Sequence, residues 1–138
     1  DKKRSVIIPA LRIVQDNNGG FLTIELMNSV AAYLGVPNIY VYEVATFYSM
    51  YELKKIGKYK ISLCTNISCM LNGSDEIVGY LKDKFELNFN EVTKDGKFFL
   101  KEVECLAACG GAPVMQIGNK YYENLTVSKI DEILENLE

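Results

Sequence analysis

Histidine is missing from the 138-residue chain. Its absence excludes Ser-His-Asp and Cys-His catalysis as well as histidine-containing zinc sites. Glycine-rich phosphate loops are missing too, because Gly110-Gly111 is too short to match a P-loop or a dinucleotide-binding motif. We therefore expect no catalytic side chains, and no binding of NAD or flavin by this chain alone.

Long apolar runs and basic stripes are also absent. No run approaches the length of a membrane span, so we expect no direct membrane insertion. The formal charge is −3 and the basic residues form no stripe, which argues against nucleic acid as a partner. The chain opens on Asp1 and its first apolar run stops at Pro9, which makes a poor signal peptide. We expect a cytoplasmic protein whose N-terminus has been trimmed.

Helical spacing of apolar residues marks the first third of the chain. Helices are predicted at residues 5–16, 24–34 and 38–47. Thr23 is placed to cap the start of the second of these helices, and Gly35 to end it. Residues 1–57 are thus expected to form a small helical bundle, with Gly57 as the hinge into the rest of the chain.

The remaining residues, 58–138, alternate in the manner of strands and contain two further helices. Strands are predicted at residues 59–64, 91–93, 98–104, 114–117 and 120–122, and helices at 74–85 and 127–137. This order of elements resembles the thioredoxin-like arrangement. The expected fold class is α/β (α+β), with an N-terminal helical bundle followed by a thioredoxin-like domain.

All four cysteines fall in two close pairs. Cys64 and Cys69 have C-x4-C spacing, and Cys105 and Cys109 have C-x3-C spacing. Each pair begins where a predicted strand ends, and ligand sites of open sheets gather at the carboxyl ends of strands. In a reducing compartment such cysteines indicate metal ligands more readily than disulfides.

Three kinds of chemistry are compatible with these thiols. A 2Fe–2S cluster takes four thiolates, two on each iron, and the small residues around the second pair leave room for backbone amides to face sulfur. Structural zinc also accepts four cysteines, although its usual C-x2-C knuckle is absent. Disulfides or plain buried thiols are the third possibility. A thiol–disulfide oxidoreductase is not expected because the chain has no C-x-x-C motif.

The residues around the cysteines resemble a known family. Residues 64–76 read CTNISCMLNGSDE and residues 104–113 read ECLAACGGAP, while residues 9–15 and 44–48 match its N-terminal segment. The resemblance is to the thioredoxin-like 2Fe–2S subunits, often called E subunits, of the NADH dehydrogenase module of respiratory complex I (NADH:quinone oxidoreductase). Family members usually carry further helical residues before this point.

The resemblance implies an electron-transfer subunit. Cys64, Cys69, Cys105 and Cys109 would ligate one 2Fe–2S cluster that exchanges an electron with a flavin. FMN and NADH would sit on the partner, the flavin- and NADH-binding subunit, and the large iron–sulfur subunit would be a further neighbour. The complex's peripheral arm lies on the cytoplasmic side of the inner membrane, or in the mitochondrial matrix of a eukaryote. Diaphorase subunits of NAD-linked hydrogenases or formate dehydrogenases remain an alternative, as does a structural zinc interaction module with four cysteine ligands.

Several residues near these motifs have two interpretations each. Phe47, Tyr48 and Tyr51 would either pack between the two parts of the chain or form a partner-binding patch. Pro113 fits either a cis proline, as in thioredoxin folds, or the commoner trans form. Glu102 and Glu104, on the strand that leads to Cys105, would either lower a reduction potential through their negative charge or simply belong to a solvated strand face.

Overall fold

The computed structural model of the protein describes residues 2–137. The chain folds as two compact units, the first extending to Ile56 and the second beginning at Gly57. Helices alone make up the first unit, whereas helices and a mixed sheet make up the second, which confirms the expected α+β class. None of the helices within residues 2–137 has both the length and the apolar character needed to cross a bilayer.

The first unit is a bundle of helices. They are α1 (Lys2–Ser5), α2 (Ile7–Asn17), α3 (Ile24–Leu34) and α4 (Asn38–Phe47). The predicted caps are present: the Thr23 hydroxyl accepts a hydrogen bond from the Leu26 N–H at 3.3 Å, and Gly35 ends α3 in the left-handed region at φ 62°. The bundle encloses a core of buried side chains: Ile7, Leu11, Leu22, Met27, Val30, Ala31, Val41, Ala45 and Tyr51.

The segment after α4 is fixed to the bundle by one glutamine and one tyrosine. The Gln15 side chain donates to the Met50 carbonyl at 3.1 Å and accepts from the Glu52 N–H at 2.8 Å. Tyr51 is buried and donates its hydroxyl to the Ile8 carbonyl at 2.8 Å. Phe47, by contrast, is 81% exposed. The aromatic residues expected to act as one group therefore divide between the core of the bundle and the surface.

The second unit is built on a five-stranded sheet. Its strands are β1 (Tyr59–Cys64), β2 (Glu91–Val92), β3 (Phe98–Val103), β4 (Met115–Ile117) and β5 (Lys120–Tyr122), in the spatial order β2-β3-β1-β4-β5. β1 and β3 are parallel, and the other neighbours are antiparallel. Three helices connect or follow the strands: α5 (Ile67–Leu71), α6 (Ser74–Phe85) and α7 (Val127–Glu135).

Alternate residues of the central strands form the core with α6 and α7. The fully buried members include Ile61 and Leu63 of β1, Leu100 of β3 and Met115 of β4. Ile77 and Leu81 of α6 and Ile130 and Leu134 of α7 complete the same cluster, because each helix repeats its apolar residues at helical spacing. The sheet thereby holds the ends of β1 and β3 side by side.

Gly57, the first residue of the second unit, packs closely against the start of β3. A Cβ at this position would lie 2.8 Å from the carbonyl carbon of Phe98 and 3.0 Å from that of Lys97. Only glycine lets the backbone approach the start of β3 this closely. The chain therefore enters the second unit through a tight backbone contact.

Candidate functional site

The first cysteine pair lies at the end of β1 and in the short helix that follows it. Cys64 is the last residue of β1, and Cys69 lies in α5. The Asn66 side chain caps α5 by accepting the Ile67 N–H at 2.7 Å. Both cysteines are buried, with 4% and 2% of their surface exposed.

The second pair occupies the loop beyond β3. Cys105 lies two residues past Val103, the last residue of β3, and Cys109 begins a single 3₁₀ turn that ends at Gly111. Both cysteines are exposed. Ala107 adopts the left-handed region at φ 56°, and its N–H donates to Cys105 Sγ at 3.2 Å. One backbone amide of this small-residue loop thus faces sulfur, as the sequence predicted.

The parallel pairing of β1 and β3 brings the two loops to one edge of the sheet. Cys64 is aligned with Val103 in the ladder. The Thr65 hydroxyl donates to the Glu102 carboxylate at 2.7 Å, and Cys64 Sγ donates to the Glu104 carbonyl at 3.8 Å. These bonds connect the residues that surround the first pair directly to the strand and loop that carry the second.

The start of β4 closes the site from the other side of β1. The Cys64 N–H donates to the Val114 carbonyl at 3.1 Å, and Val114 forms a small buried cluster with Cys64 and Cys69. The Ala112–Pro113 peptide bond is cis, the first of the two forms that the sequence allowed for Pro113. The buried pair is therefore bordered by the backbone at Val114 and by apolar side chains.

Burial raises the pKa of Cys69. Together with a hydrogen bond to Cys64 and the charges of Cys64 and Cys109, it brings that pKa to about 11, while a bond from the backbone of Val114 opposes the rise. Cys69 is therefore close enough to interact with Cys64 of the first pair and with Cys109 of the second pair. A raised pKa also means that any metal binding here must displace a tightly held proton.

The donor set fits a cluster with four thiolate ligands. None of the four thiols is in a disulfide; two lie at the end of β1 and in α5, and two lie in the loop beyond β3. Within residues 2–137, however, no three His, Cys, Asp or Glu side chains converge in a ready-made metal site. The fit therefore rests on the chemistry of the four thiols and on their placement at one edge of the sheet.

Two methionines near the cysteines differ in their surroundings. Met115 is fully buried and fills the core. Met70 lies on α5 with 45% of its surface exposed. Its neighbours Ile67 and Leu71 are also exposed, because the five-residue helix buries only the face that carries Cys69.

With this geometry, the fold and the cysteines define a class of small iron–sulfur protein. The chain belongs to the thioredoxin-like [2Fe-2S] ferredoxin family, whose pattern matches residues 1–138. This membership confirms the expected cofactor class.

Two individual proteins are similar to this chain over nearly its whole length. The chain is 47% identical over 136 residues to the E subunit of the NADH-quinone oxidoreductase of Rickettsia conorii, a match that covers 99% of this chain and 81% of the relative. It is 43% identical over 134 residues to the E 2 subunit of the NADH-quinone oxidoreductase of Rhizobium meliloti, covering 97% and 79%. These relatives confirm the resemblance inferred from the cysteine motifs.

A solved structure shares the fold. A chain of an NAD+-reducing [NiFe]-hydrogenase in its air-oxidized state superposes with a TM-score of 0.76, covering 91% of this chain. The match spans only 22% of the hydrogenase chain, at 17% sequence identity. At this identity the likeness shows the fold alone.

Proposed function

We propose that this chain is the 2Fe–2S electron-transfer subunit of an NADH:quinone oxidoreductase. The observation that carries the proposal is the placement of two cysteine pairs at the ends of the adjacent parallel strands β1 and β3, in a chain that belongs to a [2Fe-2S] ferredoxin family. When bound, the cluster supplies one-electron chemistry and nothing else. The lack of histidine and of a phosphate-binding loop leaves the chemistry of NADH to a partner.

The four cysteines would hold the cluster in unequal surroundings. Cys64 and Cys69 lie in an apolar pocket that excludes water, whereas Cys105 and Cys109 lie on the exposed loop. The Ala107 N–H already faces Cys105 Sγ, and donors of this kind stabilise a thiolate. We further propose that residues 1–57 and 58–138 are separate domains, the second of which carries the cluster.

The relatives' names support a place in a multisubunit complex. The E subunit of an NADH-quinone oxidoreductase is by its name one part of a larger oxidoreductase. We propose that the direct partner is the flavin- and NADH-binding subunit, with the large iron–sulfur subunit nearby, and that the complex faces the cytoplasm. The hydrogenase alternative has support from the fold alone, at 17% identity, whereas the E subunit of Rickettsia conorii shares 47% of the aligned residues with this chain.

Electron transfer to the cluster tests the proposal. The purified chain is mixed anaerobically with NADH, with and without an NADH-oxidising flavoprotein from a complex I of a related bacterium, and the reduced-cluster EPR signal is recorded. We expect the signal only when the flavoprotein is present. A signal from NADH and this chain alone would contradict the assignment of NADH chemistry to the partner. No signal in either mixture, from a chain that dithionite does reduce, would contradict the proposed electron donor.

A further inference from the structure

Gly111, two residues beyond Cys109, lies directly under the side chain of Glu123. A Cβ at Gly111 would lie 2.5 Å from Glu123 Oε2 and 2.6 Å from both its Cβ and its Cδ. Real Cβ atoms essentially never approach other heavy atoms this closely. Because one of the atoms is the Cβ of Glu123, rotation of its side chain cannot remove the whole conflict. The side chain of Glu123 thus occupies the space that any other residue at position 111 would fill.

Backbone hydrogen bonds also join the two segments that carry Gly111 and Glu123. The Asn124 N–H donates to the Gly111 carbonyl at 2.6 Å, and the Leu125 N–H donates to the Pro113 carbonyl at 3.1 Å. Residues 123–125 therefore bind the second cysteine loop by two backbone bonds and one packed side chain.

Residues 123–125 are themselves fixed to α7. The Lys129 ammonium donates to the Glu123 carbonyl at 2.6 Å, and its backbone N–H donates to the Thr126 hydroxyl that caps the helix. Leu125 is buried in the core of the second unit. The segment that packs on Gly111 is thus continuous with the folded core, although Glu123 itself is exposed.

Gly111 and Cys109 belong to one short turn. The Gly111 N–H donates to the Ala108 carbonyl at 3.0 Å, and the Ala112 N–H donates to the Cys109 carbonyl at 3.3 Å, across the 3₁₀ turn from Cys109 to Gly111. Cys109 is exposed and shares this turn with Gly111. Its position therefore depends on what holds Gly111.

We propose that Glu123 is a positioning residue for the cluster, which holds the loop of Cys105 and Cys109 by packing on Gly111. The proposal rests on the proposed function, because it assumes that these cysteines are ligands. Groups that orient metal ligands without touching the metal commonly change metal affinity by about 10- to 100-fold when they are removed. In this role Glu123 acts through the shape of its side chain and not through its charge. Glutamine has the same shape and should therefore hold the loop equally well.

Four variants of the cluster-loaded chain test this role. Gly111→Ala places a Cβ in the space of Glu123. Gly110→Ala is its matched control, since a Cβ at Gly110 meets nothing within 4 Å although Gly110 is nearer to Cys109 in sequence. Glu123→Ala removes the packed side chain from an exposed position without creating a clash, and Glu123→Gln keeps its shape.

The measurements are the rate of cluster loss to an iron chelator, followed by visible absorbance, and the EPR spectrum of the reduced cluster. We expect Gly111→Ala and Glu123→Ala to lose the cluster about 10- to 100-fold faster than the unmodified chain and to change the EPR g-values. Gly110→Ala and Glu123→Gln should match the unmodified chain in both measurements. If Glu123→Ala matches it as well, the proposal is wrong, even if Gly111→Ala fails to fold. A chain that never holds iron and sulfide would overturn the proposed function instead, which is a separate result.

Discussion

The two cysteine pairs should differ sharply in reactivity when the chain is prepared without metal. The thiolate is the form of cysteine that reacts with iodoacetamide. With its pKa raised from 9.0 to about 11, Cys69 is a thiolate in about one molecule in a thousand at pH 8, against about one in ten for a thiol with the ordinary value. Its reaction should therefore be about a hundredfold slower than that of an ordinary thiol, and its burial will slow it further.

The assay is a timed pulse of iodoacetamide at pH 8, followed by mass spectrometry of the cysteine-containing peptides. We expect the exposed Cys105 and Cys109 to be labelled first, and Cys69 last, at a rate at least about a hundredfold below that of an ordinary thiol. The same pulse in urea is the control, because unfolding should bring all four cysteines to similar rates. Equal labelling of Cys69 and Cys105 in the folded chain would refute the reasoning, since it would mean that the first pair is not buried.

Further predictions concern stability and electrostatics. The unfolding free energy of the metal-free chain should fall as the pH rises from about 9 to 11, because folded Cys69 keeps a proton that the unfolded chain releases; urea unfolding measures this. Asp131 has its pKa lowered by hydrogen bonds from Lys84 and Tyr80, so its contribution is present above pH 3.8 and is lost in acid. Asp131→Asn should therefore lower the urea midpoint at pH 7 and make little difference in strong acid. Leu100→Ala should cost about 2–5 kcal/mol of unfolding free energy, since Leu100 is fully buried in the central sheet. Glu102→Gln should raise the cluster's midpoint potential in an EPR-monitored titration, most strongly at low salt, by removing a negative charge beside the site.

Local sequence signals were sufficient for most of the elements. Thr23 and Gly35 mark both ends of α3 because capping depends on a few adjacent residues. The alternation from Tyr59 to Cys64 predicted β1, and the structure has the strand with the same bounds. The placement of each cysteine pair after a strand followed from the same pattern, so the site's position in the fold was predictable.

Short elements and long-range contacts were not predictable in this way. α5 has five residues, too few to show a helical repeat, and its only signal is the capping residue Asn66. The contact between Gly111 and Glu123 joins residues twelve positions apart, and nothing in the sequence marks it. The difference between the buried first pair and the exposed second pair depends on how β4 covers the end of β1, which is a property of the assembled sheet.

The central claim is that the four cysteines hold one 2Fe–2S cluster. The measurement that tests it most directly is the iron and acid-labile sulfide content of the purified chain, compared with four variants in which each cysteine is replaced singly by serine. We predict two irons and two sulfides per chain, with loss of the cluster or a changed reduced-state EPR signal in each variant. One zinc per chain without sulfide would contradict the account, as would four variants that all keep the unaltered signal.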